Sequence, residues 1–194
     1  MIFDRLIGEI RDSGANLFRI SLYEDGAWYD EVFLPTPRMQ NVYSVAKSFT
    51  AAAVGIAVGQ GLLSEHSLLL DFFRDELPPE YDSKLERVEI CHLLTHTTGY
   101  EKGFLFDADR AGYTDRNYLG IILSRPLEHE PGTVFAYSNS GYYLLSRIIH
   151  QVSGLTLEEY LRKYLFGSMD VFEYAWQNCP MGETLGDRKS TRLN

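Results

Sequence analysis

Tyr43 to Gly61 reads YSVAKSFTAAAVGIAVGQG, an almost uninterrupted apolar run with a serine and a lysine three residues apart at its head. From Val45 to Val58 the only strongly polar side chains are Lys47, Ser48 and Thr50. The segment therefore predicts a helix that is apolar nearly all round and buried, with Ser44 at its N-cap. An ammonium group one turn into a buried helix is costly, so what Lys47 does there decides how the chain is read.

Upstream of this helix, Ile2, Phe3, Leu6, Ile7 and Ile10 recur at helical spacing between charges. That pattern predicts an N-terminal helix and lacks the continuous apolar core of a signal peptide. Asn16–Tyr23 then alternates apolar and polar residues, Glu24-Asp25-Gly26 supplies a turn, and Ala27–Leu34 resumes β-type composition, which together predict an antiparallel hairpin. Pro35-Thr36-Pro37 stops the second strand, because proline donates nothing to a ladder. Downstream, glycines and prolines separate helical patterns at Val88–Thr95, Asn117–Leu123, Ser140–Val152 and Thr156–Phe166, so the middle and end are predicted to be mainly α. Tyr142, Tyr143, Leu144, Leu145, Ile148 and Ile149 form a stripe read as core.

The 194 residues, 45% hydrophobic and 13% aromatic, suffice for one sizeable core in one domain or two interleaved lobes. Net charge is −9 with scattered acidic groups, so no basic stripe exists to meet phosphates, and nucleic acid is not an expected partner. No apolar segment reaches the length of a membrane span, no membrane partner is expected, and the chain reads as cytoplasmic. Cys91 and Cys179 are far apart in sequence and are expected as packing groups.

Positions i and i+3 share a helix face, so Ser44 and Lys47 project together. A hydroxyl is a poor nucleophile without a base, and a lysine desolvated by apolar surroundings loses preference for its charged form and can relay that proton. The plainer reading is a capping serine and a lysine that snorkels to solvent. A second cluster, Glu130-Pro131-Gly132-Thr133-Val134-Phe135-Ala136-Tyr137-Ser138-Asn139, places a Tyr-x-Asn in a turn just before a helix. A tyrosine beside an ammonium is pushed toward phenolate and becomes a candidate general base, and an asparagine offers both donor and acceptor to a substrate amide. Read plainly, these are a turn tyrosine and a helix cap. His92 and His96 stand at i, i+4, but the metalloprotease pattern needs a glutamate where Leu93 stands, so a zinc pair is not expected.

Together these residues resemble the serine β-lactamase and penicillin-binding-protein superfamily, most closely its class C β-lactamase-like branch of peptidases and esterases. Its S-x-x-K motif corresponds to Ser44-Val45-Ala46-Lys47 and its Y-x-N motif to Tyr137-Ser138-Asn139. Gly61-Leu62-Leu63-Ser64, His92 through Gly99, and Pro131-Gly132 match recurrent landmarks, and the resemblance runs from Asn16 to Gly186. It implies an α+β, β-lactamase/transpeptidase-like fold around a buried active-site helix, and a serine hydrolase that forms an acyl-enzyme. Ser44 would attack a carbonyl, Lys47 and Tyr137 would share the proton traffic, and Asn139 would hold the substrate. Which of Lys47 and Tyr137 is the base stays open, since coupled groups titrate as a pair. The substrate would be an ester, a peptide or a β-lactam amide, with no metal or other cofactor required. The rival from another class is a non-catalytic ligand-binding relative.

One departure stands out. The family's third motif, Lys-Thr-Gly or His-x-Gly on a later strand, has no counterpart after Asn139. The expectation is thus an incomplete fold with its C-terminal strands missing, the hairpin's sheet left with an open edge, and weak or no activity. The last eight residues, Asp187 to Asn194, back-translate with ordinary codons into GATCGGAAGAGCACACGTCTGAAC, which resembles a common sequencing-adapter oligonucleotide. Residues 1–186 are accordingly expected to be the domain portion and 187–194 a non-native tail.

Overall fold

The computed structural model describes residues 2–35 and 40–191. Most of the Pro-Thr-Pro stop and the last residues of the expected tail, 192–194, lie outside them. The described residues form two compact units, one up to Gln40 and one from Asn41 to Thr191.

In the first unit the predicted helix is α1 (Ile2–Ser13), with Phe3 and Ile7 buried one turn apart on one face. The hairpin is β1 (Arg19–Glu24) against β2 (Ala27–Val32), with Leu22 opposite Tyr29. Asp25 and Gly26 both take positive φ, 51° and 81°, which is the two-residue turn that matches strand twist. Phe3 meets Tyr29 with ring centroids 5.9 Å apart, and Arg11 pairs with Glu31, so α1 is fixed to the hairpin.

The second unit holds the core and begins within β3 (Gln40–Asn41). The apolar run is α2 (Ala46–Gly59). Two expectations need correction here. Ser44 does not cap α2: it sits in a 3₁₀ turn, Tyr43–Val45, and Val45 takes the N-cap position. Nor is α2 buried all round: Ala46, Lys47, Thr50, Ala53, Val54 and Ala57 form one buried face, while Ser48, Gly55 and Gly59 on the other side are exposed. Small residues make both sides look alike in sequence, whereas packing covers one of them.

α3 (Leu70–Phe73) was not foreseen, and α4 (Ile90–Leu94) is shorter than expected. Residues 88 and 89 are drawn into extended pairing with 68 and 69 instead: Leu69 N–H donates to the Val88 carbonyl at 2.7 Å, and Leu68 bridges Glu89. α5 (Asp107–Gly112), also unforeseen, precedes α6 (Tyr118–Leu123), whose Asn117 cap accepts from the Gly120 N–H. α7 (Ser140–Ser153) buries the predicted stripe and ends at Gly154 in a left-handed conformation, φ 69°. α8 (Leu157–Tyr164) opens on a capping box between Thr156 and Glu159.

The end of the chain is less helical than its composition suggested. β4 (Tyr174–Asn178) pairs antiparallel with β5 (Thr184–Thr191), in the sheet order β3-β5-β4. β5 lies against α2 and α7, where Thr50 Oγ1 donates to the Gly186 carbonyl at 2.7 Å and Ser146 Oγ to the Thr184 carbonyl at 2.6 Å. Gly186 is needed for that approach, since a Cβ there would stand 2.1 Å from the Tyr142 carbonyl oxygen. β5 runs past Gly186 into the residues expected as a tail; this placement does not bear on their origin. Among the described residues no helix is long and apolar enough to cross a membrane. Cys179 is buried as expected, whereas Cys91 is only partly so.

Candidate active site

Three stretches of chain converge near Ser44. The first is the 3₁₀ turn and the first turn of α2. Tyr43 takes φ +45°, an uncommon conformation for a tyrosine, and its N–H donates to Asn41 Oδ1 at 2.9 Å. The backbone straightens from this kink into α2, leaving Ser44 exposed and Lys47 6% exposed. Lys47 Nζ lies 3.3 Å from Ser44 Oγ, across one turn.

The second stretch, Tyr137-Ser138-Asn139, sits ninety residues further along the chain, immediately before α7. Asn139 Oδ1 accepts from Lys47 Nζ at 2.7 Å, and Asn139 is itself 7% exposed. The Tyr137 ring centroid is 4.8 Å from Lys47 Nζ, and that of Tyr142, in the first turn of α7, is 5.6 Å away. The ammonium is therefore bounded by a hydroxyl, an amide carbonyl and two aromatic faces, contacts that suit a desolvated cation.

The third stretch, residues 103–106, supports the second. Asn139 Nδ2 donates to the Leu105 carbonyl at 3.2 Å, and the Asn139 N–H to the Phe104 carbonyl at 3.1 Å. Phe104 N–H donates to Ser138 Oγ at 3.0 Å. Leu105 takes φ +66°, a strained conformation for leucine that aims its carbonyl at Asn139. Phe106 stacks on Tyr137, with centroids 6.3 Å apart and planes 14° from parallel. A cleft of about 330 Å³ opens between these groups, lined by Tyr43, Ser44, Phe106, Ala108, Asn139 and Asp187. Asp187, the first residue of the expected tail, pairs with Arg110 at 2.7 Å, and burial nonetheless pushes its carboxyl upward.

The structure thus brings three of the residues singled out from the sequence to the fourth, Lys47: Ser44 and Asn139 by polar contacts and Tyr137 by the face of its ring. Chemically, an ammonium at 3.3 Å can donate to Ser44 Oγ and stabilise charge developing there, while the neutral amine could accept the serine proton.

A family profile described as Beta-lactamase matches residues 38–184. The chain belongs to the beta-lactamase family. Penicillin-binding protein 4 of Amycolatopsis lactamdurans is 31% identical over 127 residues, which cover 63% of this chain and 32% of that protein. Among solved structures, the octameric penicillin-binding protein homologue of Pyrococcus abyssi matches with a TM-score of 0.73 and 22% identity, over 97% of this chain and 52% of the other. A class C beta-lactamase matches with a TM-score of 0.73 and 19% identity, over 97% and 60%. These likenesses show the β-lactamase/transpeptidase-like fold, and the chain spans about a third of the length of the curated relatives it matches.

Within this family member a histidine that the sequence motifs do not include joins the site. The i, i+4 spacing of His92 and His96 does not become a shared helix face, because α4 ends at Leu94 and His96 takes φ +59°. His92 Nδ1 instead accepts the Glu89 N–H at 3.1 Å. The His96 ring packs 4.6 Å from that of Tyr137 and 5.1 Å from that of Tyr142, and its Nδ1 accepts the Ser138 N–H at 3.3 Å. Burial, reinforced by the Lys47 charge, holds His96 below the ordinary imidazole value, which suits a neutral acceptor at Nδ1. Burial likewise pushes the Tyr142 phenol up, with Tyr137 adding to the shift. No spacing rule marks His96 beforehand, because its role depends on a loop that returns forty residues later.

Proposed function

We propose that this chain carries the catalytic Ser44–Lys47 and Tyr137–Asn139 segments of a serine hydrolase that acts on an ester, a peptide or a β-lactam amide. Ser44 Oγ attacks the substrate carbonyl carbon, and its proton passes to the Lys47–Tyr137 pair. That pair returns the proton to the leaving alcohol or amine as the acyl–oxygen or acyl–nitrogen bond breaks. Water then cleaves the acyl-enzyme and Ser44 regains a proton. Asn139 has a second task, accepting from Lys47 while facing the cleft where a substrate amide would lie. The reading rests on one observation: a single buried ammonium meets Ser44 Oγ at 3.3 Å and Asn139 Oδ1 at 2.7 Å, with the Tyr137 ring 4.8 Å away.

The substrate class takes support from the relatives, which include penicillin-binding proteins and an N-acetylmuramyl-L-alanine amidase of Bacillus subtilis. The 194-residue chain is expected to turn over slowly or not at all, because no Lys-Thr-Gly or His-x-Gly segment follows Asn139 to supply a second oxyanion donor. Covalent labelling separates enzyme from binder. A fluorophosphonate or a penicillin should leave a mass adduct on Ser44 that disappears in Ser44→Ala. Reversible binding of a penicillin without any adduct would favour the non-catalytic relative.

A further inference from the structure

Outside the cleft, a second group of chemistry-bearing side chains meets where residues 64–69 run beside the start of α4. His66 Nδ1 lies 2.8 Å from Glu89 Oε2, and Cys91 Sγ lies 3.5 Å from the same oxygen. One ligand atom from each of the three residues falls within 4.8 Å of the others, and among the described residues no other group of three histidine, cysteine or carboxylate side chains is so placed. The backbone beneath them is fixed: Cys91 N–H donates to the Glu65 carbonyl at 2.9 Å, Ile90 N–H to the Ser67 carbonyl at 3.1 Å, and Leu69 N–H to the Val88 carbonyl at 2.7 Å. His66 N–H also donates to Ser64 Oγ at 3.2 Å.

We infer that His66, Glu89 and Cys91 form a site for one thiophilic divalent cation, with zinc as the representative ion. Four-coordinate zinc binds nitrogen, oxygen and sulfur at about 2.0–2.3 Å, which sets its ligands roughly 3.3–3.7 Å apart. The observed separations bracket that spacing, so small side-chain adjustments bring all three atoms onto one ion. The donor set selects the metal. Thiolate and imidazole disfavour magnesium and calcium, which take oxygen ligands, and suit zinc or cobalt. One thiolate and one carboxylate balance the two positive charges, and the thiol proton leaves to solvent. His66 is exposed, which leaves the fourth position open to water. Glu65 Oε1 lies 3.9 Å from His66 Nε2, on the side where a carboxylate favours the tautomer that frees Nδ1 for the metal. His92 takes no part, because its Nδ1 is committed to the Glu89 N–H. Such an ion would tie the 64–69 segment to the start of α4, whose Cys91 lies five residues before His96 and the loop that packs on Tyr137.

Cobalt chloride, titrated into the reduced 194-residue protein, tests the inference without reference to Ser44 chemistry. The expected result is a thiolate-to-cobalt charge-transfer absorption that saturates at one equivalent and is displaced by zinc. Cys91→Ser should abolish the band and His66→Ala should weaken binding at least about tenfold, a loss of the size seen when supporting groups of metal sites are removed. Zinc should raise the melting temperature of the wild-type protein and leave that of Cys91→Ser unchanged. Both substitutions are outside the core, and circular dichroism checks that each variant folds. Should one variant fail to fold, the other carries the comparison. A spectrum without the thiolate band overturns the inference, as does a band that survives in folded Cys91→Ser.

Discussion

Gly103→Ala is a one-atom perturbation whose consequence can be worked out from the packing beneath Tyr137. A Cβ added at Gly103 would lie 1.7 Å from the Tyr137 carbonyl oxygen and 2.8 Å from its carbon, where ordinary contact begins at 3.4 Å. The two segments must therefore separate by about 1.7 Å, and neither atom belongs to a side chain that can swing away. Overpacking of this kind typically costs about 1–3 kcal/mol, and the upper end applies because the obstacle is backbone. The displacement also reaches the cleft, since Asn139 is held by the Phe104 and Leu105 carbonyls, one and two residues from the substitution. Misplacement by an ångström can cost on the order of 10²-fold in rate, so labelling of Ser44 by a fluorophosphonate should slow by about that factor. Urea denaturation gives the stability change, and mass spectrometry over time gives the labelling rate. Gly112→Ala is the control. No atom lies within 4 Å of a Cβ there, so its stability should stay within about 0.5 kcal/mol of wild type. If Gly103→Ala matches Gly112→Ala in stability and labels Ser44 at the wild-type rate, the 103–106 segment does not position Tyr137 and Asn139.

Other expectations concern single groups. Lys47→Met removes the amine from the cleft and should lower Ser44 labelling by about 10²–10⁴-fold, the range of general acid–base contributions; a wild-type rate would move the base elsewhere. His96 is held below the ordinary imidazole value, so on acidification the unfolded chain takes up its proton first. Stability is therefore undiminished above about pH 6.5 and falls as the pH drops from there toward the lower folded value, and His96→Asn should flatten that part of the curve in urea denaturation. Thr156→Ala removes the hydroxyl that accepts the Glu159 N–H and should cost about 0.5–2 kcal/mol without changing Ser44 labelling, as thermal melts and the same probe would measure.

How far the sequence could be read depended on the range over which each signal acts. The hairpin turn at Asp25-Gly26, the Gly154 stop and the α7 stripe are local, and each appears where the residues put it. α4 begins two residues late because Leu69 claims the Val88 carbonyl, a competition between segments twenty residues apart that helical periodicity does not record. β4 and β5 were missed because Tyr174–Asn178 and Thr184–Thr191 lack clear alternation; their strand form depends on each other and on the hydroxyls of Thr50 and Ser146. The exposed side of α2 was missed for the opposite reason: alanine and glycine look equally burial-ready on either face.

The cleft follows the same division. Ser44 and Lys47 were legible as a pair because three residues separate them, and Tyr137 and Asn139 because two do. What joins the pairs is long-range. A lysine buried to 6% exposure needs acceptors, and the nearest belongs to Asn139, brought there by carbonyls at 104 and 105 that neither motif contains. The strain at Leu105 and the bare backbone of Gly103 make that delivery possible, since an ordinary residue at 103 would fill the space Tyr137 occupies. Conformations this uncommon leave no periodic trace in a sequence, and three of them, at Tyr43, His96 and Leu105, fall in the segments that surround Lys47.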